Sequence, residues 1–248
     1  MKPRLYLPIL LLALTPFSSH AGQASVAVAS NFAAPMKQLT TQFEQATGHT
    51  LTISTGATGK FYAQIKNGAP FDVFLAADDE TPARLMREGD AVMRQTYAIG
   101  RLVLWSERPG YVTGNEDVLR QNRFQRLAIA NPKHAPYGAA AIEVLTRLKL
   151  AYSVQPKLVI GENIAQAYQF IASGNAELGF VALSQVTQDG KLTSGSAWLV
   201  PASLHAPIRQ DAVLLKRGEN NEAARALFDF LKSPAAALTL TRSFGYER

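Results

Sequence analysis

Four short stretches carry residue types suited to capturing a small anion: Ser30-Asn31, Thr58-Gly59-Lys60, Tyr137-Gly138 and Asn163-Ile164. Each lies where a β-prone run gives way to a helix-like pattern. Such a junction leaves the first backbone N–H groups of the helix without intrahelical partners, at the positive end of the helix dipole. A Ser, Thr, Asn or Tyr side chain beside them adds a neutral donor. In an open α/β sheet, ligands sit beyond the carboxyl ends of the strands, where helices begin. Four junctions drawn from two halves of the chain therefore imply a cleft between lobes. Singly, each has a plainer reading. Ser30 and Thr58 serve equally as N-caps, Gly56 and Gly59 as turn residues, Tyr137 as cover for a sheet end and Ile164 as core. The set says more than any member.

Other chemistries find less support. A phosphate-binding P-loop needs Gly, four residues, then Gly-Lys-Ser/Thr; here Ser54 stands for the first Gly and Phe61 for the Ser/Thr. Lys60 then reads as a rim charge that steers anions or as a side chain snorkelling into water. His49, His134 and His205 follow no zinc spacing, and no Gly-x-Ser-x-Gly elbow surrounds Ser30 or Ser184. An exported hydrolase with Ser30 as nucleophile is kept as the alternative from another class.

The elements that must position these residues follow a regular grammar. Apolar spacing predicts helices over 34–47 and 58–67, separated by a strand over 51–54 and followed by an apolar strand over 71–76. Asp78 and Asp79 suit the cap of a third helix ending at Arg87, with Gly48, Gly68 and Gly89 as the three stops. Residues 97–106 read as one longer strand. Strands over 126–130, 157–160 and 178–183 then alternate with helices over 138–150 and 164–172, a second set with the same order as the first. A strand over 208–215 and helices over 220–232 and 234–242 close the chain. Alternating strands and helices predict α/β lobes, each a mostly parallel sheet flanked by helices.

Composition fits that architecture: 248 residues, 47% apolar and 18% charged, are ordinary for a globular protein. Lys2 and Arg4 precede a short apolar run over 5–14 and then Ser19 and Ala21, the pattern of a secretory signal cleaved after Ala21. Loss of Lys2 and Arg4 lowers the formal charge from +6 to +4. The basic residues are scattered, which excludes a nucleic-acid surface. With no cysteine, thiolate chemistry and Cys-ligated metals are excluded, and no thiol can carry a lipid anchor. A free periplasmic protein without stable membrane anchoring is expected.

At these residues the chain resembles the molybdate-binding proteins of ATP-driven importers, within the type II periplasmic binding protein superfamily. The likeness runs over nearly the whole mature chain. It is carried by Val28-Ala29-Ser30-Asn31-Phe32, Gly56-Ala57-Thr58-Gly59-Lys60, the run from Gly68 to Asp78, Gly100-Arg101-Leu102-Val103-Leu104, the run from Ala130 to Gly138, and Leu178-Gly179-Phe180-Val181. The resemblance implies a two-lobed clamp closing on molybdate or tungstate, with no cofactor and no enzymatic activity. Its partners would be the membrane permease and ATPase of an ABC importer, and monomer is the expectation.

The resemblance also implies roles for residues. Ser30 would hold the oxyanion through hydroxyl and backbone, Asn31 through its N–H, Thr58 where many relatives have Ser, and Ile164 through a backbone N–H. Some relatives place a Tyr where this chain has Ala182, and Tyr137 is read as supplying that hydroxyl. Lobe one is expected over 22–100 and 206–248, and lobe two over 101–205. Sulfate, thiosulfate or another small oxyanion on the same scaffold is the nearer alternative ligand.

Overall fold

The computed structural model describes residues 21–247, so the leader expected over 1–21 lies, apart from Ala21, outside the described residues. The first half begins with β1 (Gln23–Ala29), α1 (Ala33–Thr47), β2 (Thr50–Gly56), α2 (Thr58–Lys66), β3 (Val73–Leu75), α3 (Glu80–Arg87) and β4 (Ala91–Gly100). It continues through β5 (Leu102–Ser106), α4 (Asp117–Gln121), β6 (Leu127–Ala130), α5 (Pro136–Arg147) and α6 (Ala151–Val154). Then come β7 (Leu158–Gly161), α7 (Ile164–Ala172), β8 (Leu178–Ala182), α8 (Leu183–Val186) and a small hairpin of β9 (Thr187–Gln188) and β10 (Lys191–Leu192). The chain finishes with β11 (Ser196–Leu199), β12 (Ile208–Leu215), α9 (Glu222–Phe230), α10 (Pro234–Leu238) and a π-helical turn over Thr239–Ser243.

Two five-stranded sheets result, in the orders β2-β1-β3-β12-β4 and β11-β5-β8-β6-β7. In each, four strands run one way and one is reversed: β12 in the first, β5 in the second. The mostly parallel sheet expected from the alternation is what forms. The reversed strands are those the chain enters on leaving the other sheet, so reversal accompanies each crossing.

Period-two alternation explains the cores of the first sheet. Val26 and Val28 of β1, Val73 and Leu75 of β3, and Ala212 and Leu214 of β12 share a face with α1, α9 and the C-terminal residues Phe244 and Tyr246. Ala27, Phe74, Val213 and Leu215 face the other way, against Phe61, Phe71 and Leu85. The second sheet has its own core around Trp105, Phe180, Ile129 and Leu145. Among the described residues, no helix is long and apolar enough to cross a membrane.

Three local readings need correction. Residues 97–106 are two strands in two sheets. Gly100 pairs with Ile208 in one, whereas Leu102 pairs with Ala182 in the other. The apolar pattern runs on through Gly100, and only tertiary pairing reveals the change of partner. At α3, Asp78 rather than Asp79 satisfies the helix start, its carboxylate accepting from the Thr81 N–H at 2.9 Å and the Thr81 hydroxyl at 3.1 Å. The final helix breaks at Leu238 into the π-helical turn. The remaining expected elements fall within a few residues of expectation, and α7 and β12 match it end to end. By contrast, β4 begins six residues before the expected strand, and α4, α6, α8, the β9–β10 hairpin and β11 have no counterpart in the sequence reading.

Candidate functional site

Ser30, Asn31, Thr58, Tyr137 and Ile164 line one small cleft between the two sheets, together with Gly56 and the alanines 29, 57, 77 and 135. Its volume is about 10 Å³, room for roughly one water molecule. The walls sit at the ends of β1, β2, β6 and β7, where the chain turns into helices, the position a ligand takes in open α/β sheets. No charged side chain is among the lining residues. What the cleft presents is a set of neutral donors.

Each donor is set up by its local structure. Ser30 opens a single 3₁₀ turn at the end of β1, so the N–H groups of Ser30 and Asn31 lie at a helix start. The Asn31 side chain is turned inward, its Nδ2 donating to Gln210 Oε1 at 2.9 Å and Tyr246 Oη at 3.1 Å, which leaves the backbone N–H for the cleft. Thr58 is the first residue of α2; its hydroxyl oxygen accepts from the Ala77 N–H at 3.0 Å, leaving its own proton to donate. At α7 the Asn163 carboxamide oxygen caps the N–H groups of Ala165 and Gln166 at 3.0 and 3.1 Å. The N–H of Ile164, first in that helix, is not among those capped. Tyr137, 1% exposed in the first turn of α5, accepts at its hydroxyl from Gln210 Nε2 at 3.0 Å.

Beneath the cleft lies a buried polar network absent from the sequence reading. Gln210 Oε1 also accepts from the Tyr97 hydroxyl at 3.0 Å. Tyr246 Oη donates to Ser184 Oγ at 3.0 Å, and Ser184 in turn donates to the Asn31 carbonyl at 2.9 Å. Burial pushes the phenols of Tyr97 and Tyr137 well up and that of Tyr246 to about 12, so all three remain protonated donors at neutral pH. One signal was available for Gln210: with Arg209 and Asp211 it forms a polar run in the first half of the otherwise apolar β12. Tyr246 and Ser184 offered none, because only the fold brings the C-terminus to the turn after β8.

The lobes touch around the cleft. The Gly59 N–H donates to the His134 carbonyl at 3.0 Å, and Lys60 forms an ion pair with Glu162. Lys60 is thus neither a lone rim charge nor simply solvated, and Glu162, the nearby acceptor, is engaged by a cation. Where Ala182 lacks a hydroxyl, its N–H is held by Gln185 Oε1 at 3.0 Å, and Gln185 Nε2 reaches the Ile164 carbonyl at 3.2 Å. The cleft opens beside Ala77 and Pro136 into a wider groove of about 310 Å³ whose lining includes Asp78, Asp79, Glu143, Lys133 and Arg209. Mixed charge of that kind does not favour a bare anion over other solutes. Among the described residues no group of three His, Asp or Glu side chains is placed to hold a metal ion.

Comparison with known proteins agrees with this geometry. The family model described as bacterial extracellular solute-binding protein matches residues 24–247. The chain is 58% identical over 231 residues to the molybdate-binding protein ModA of Azotobacter vinelandii, covering 92% of this chain and 91% of that one. It is 51% identical over 228 residues to ModA of Rhodobacter capsulatus, covering 91% and 88%. The solved structure of the A. vinelandii periplasmic molybdate-binding protein superimposes with a TM-score of 0.88 at 42% identity, covering 91% of this chain and 99% of that one. With a donor-lined cleft between two α/β lobes, and a match that spans the described structure almost from end to end, this chain belongs to the bacterial extracellular solute-binding protein family.

Proposed function

We propose that this protein captures molybdate, and tungstate with it, in the periplasm and delivers it to the permease and ATPase of an ABC importer, acting as a monomer. One observation carries the reading: five residues scattered from position 30 to position 164 converge on one cleft that offers neutral donors and no charged group. The identity to two molybdate-binding proteins supports it. In this reading Ser30, Asn31, Thr58, Tyr137 and Ile164 hold the four oxygens, which requires the cleft to widen beyond its present room for about one water molecule. Lobe one comprises 22–100 and 206–248, and lobe two 101–205. The sheets support this division, since every strand of the first lies within 23–100 or 208–215.

The chemistry of a bare tetrahedral dianion suits such a cradle. It needs donors only, and hydrogen bonds to a charged group contribute roughly 1.5–3 kcal/mol each. Several together support a micromolar or tighter constant, about −8 kcal/mol. Phosphate near neutral pH keeps a proton and requires an acceptor, which these walls lack. Sulfate is also a bare dianion, so its exclusion rests on cavity size. The hydrolase alternative finds no base: no His, Asp or Glu lines the cleft with Ser30.

Calorimetric titration of the mature protein with molybdate, tungstate, sulfate and phosphate tests the proposal. One-to-one binding of the first two with no heat from the others is the expected result. A preference for sulfate, or silence from all four anions, refutes it.

A further inference from the structure

We infer that Gln210 is a positioning residue that fixes the Tyr137 hydroxyl as a hydrogen-bond donor toward the cleft, and so helps the site reject protonated oxyanions. The inference rests on the proposed function, in which Tyr137 contacts the anion. Gln210 is fully buried on β12 of the first sheet, in the network beneath the cleft, and Tyr137 opens α5, packed against the second. Its carboxamide oxygen accepts from Asn31 Nδ2 at 2.9 Å and shares the single Tyr97 phenol proton, at 3.0 Å, with the Ala76 carbonyl at 2.8 Å. That fixes the amide orientation and turns Nε2 to Tyr137 Oη at 3.0 Å. An amide nitrogen donates and has no lone pair to offer. Tyr137 must therefore accept from Gln210, and its single proton is directed elsewhere.

Two acceptors compete for that proton, Tyr246 Oη in the buried network and an oxyanion in the cleft, which Tyr137 lines together with Ser30, Thr58 and Ile164; the charged acceptor makes the stronger bond. Gln210 ties the same orientation to the other lobe's contribution, because the Asn31 side chain it holds belongs to the residue whose backbone faces the ligand. Gly100 protects the arrangement. A Cβ there would stand 2.1 Å from Tyr137 Oη and 2.4 Å from Gln210 Nε2, so the space for this hydrogen bond exists only because residue 100 has no side chain. Without the Gln210 amide, the Tyr137 hydroxyl would be able to rotate and present a lone pair. A ligand carrying its own proton could then be accommodated.

The test is a double-mutant cycle read with two anions. Molybdate dissociation constants are measured by direct titration, and those for phosphate by its displacement of bound molybdate at high concentration, for the wild type, Gln210→Met, Tyr137→Phe and the double variant, with thermal unfolding as a check on folding. Gln210→Met is expected to weaken molybdate about tenfold, the size of one hydrogen bond to a charged group. It should also narrow the gap between molybdate and phosphate, and cost less than about twofold when added to Tyr137→Phe. Gln210→Glu keeps the side-chain shape and exchanges the donating nitrogen for oxygen. It should lose molybdate affinity at least as far, and it replaces the Met variant if that fails to fold. Equal weakening of both anions would indicate a purely structural role and overturn the inference, as would losses that add in the double variant. If the wild type binds no molybdate, the functional reading itself has failed, which is a separate result.

Discussion

Replacing Gly100 by Ala is a sharp test of how the lobe crossing and the cleft depend on one another. The backbone at Gly100 is held by pairing with Ile208 on β12, and the added methyl would meet Tyr137 Oη at 2.1 Å, Gln210 Nε2 at 2.4 Å and Tyr137 Cζ at 2.9 Å. The hydroxyl is the far end of a side chain, but its ring is packed at 1% exposure and cannot swing into solvent. Overpacking of this kind costs about 1–3 kcal/mol. Displacing Tyr137 also leaves the buried Gln210 amide without its acceptor, about 1–3 kcal/mol more. A total near 3 kcal/mol would lower the unfolding midpoint by roughly 6–12 °C for a chain of this size. Anion affinity should fall about tenfold or more, since the Tyr137 donor is moved. Differential scanning calorimetry without anion, followed by molybdate titration, reads both quantities. Tyr137→Phe in the same chain removes the nearest atom and should restore part of the stability. A Gly100→Ala protein with its midpoint within 1 °C and its affinity within twofold of the wild type (~0.4 kcal/mol) would refute the reasoning.

Two further predictions follow from the same geometry. Thr58→Ala strips the Ala77 N–H of its acceptor as well as removing a donor from the cleft, so stability should fall by about 1–3 kcal/mol and molybdate affinity by about tenfold; Thr58→Ser should keep most of both in urea denaturation and titration. Because burial raises the phenols of Tyr97, Tyr137 and Tyr246, their stabilising contribution is complete below about pH 10, where unfolded tyrosine begins to ionise. It is lost as pH rises above that, for Tyr246 through about 12, because the unfolded chain releases those protons first. Ultraviolet difference titration of phenolate should therefore show these three ionising last, and a phenol among them that titrates near 10 in the folded protein would contradict the buried network.

The sequence by itself determined the α/β architecture, because helical and strand periodicities and the glycine stops are local properties of side chains. It also determined which junctions could present donors. Ser30, Thr58 and Asn163 are recognisable from their own neighbours, and the set of candidate residues from position 30 to 164 converges on one cleft. Tertiary structure decided what depends on pairing between distant segments. The switch of sheets at Gly100 is invisible in an apolar run that continues to Ser106, since strand propensity does not say which partner a strand will find. Lys60 and Glu162 each look like solvated charges until the lobes bring them together. Gln210, Ser184 and Tyr246 acquire meaning only when β12, the turn after β8 and the C-terminus meet behind Asn31, because a buried hydrogen bond is specified by two positions in space and not by either residue's place in the chain.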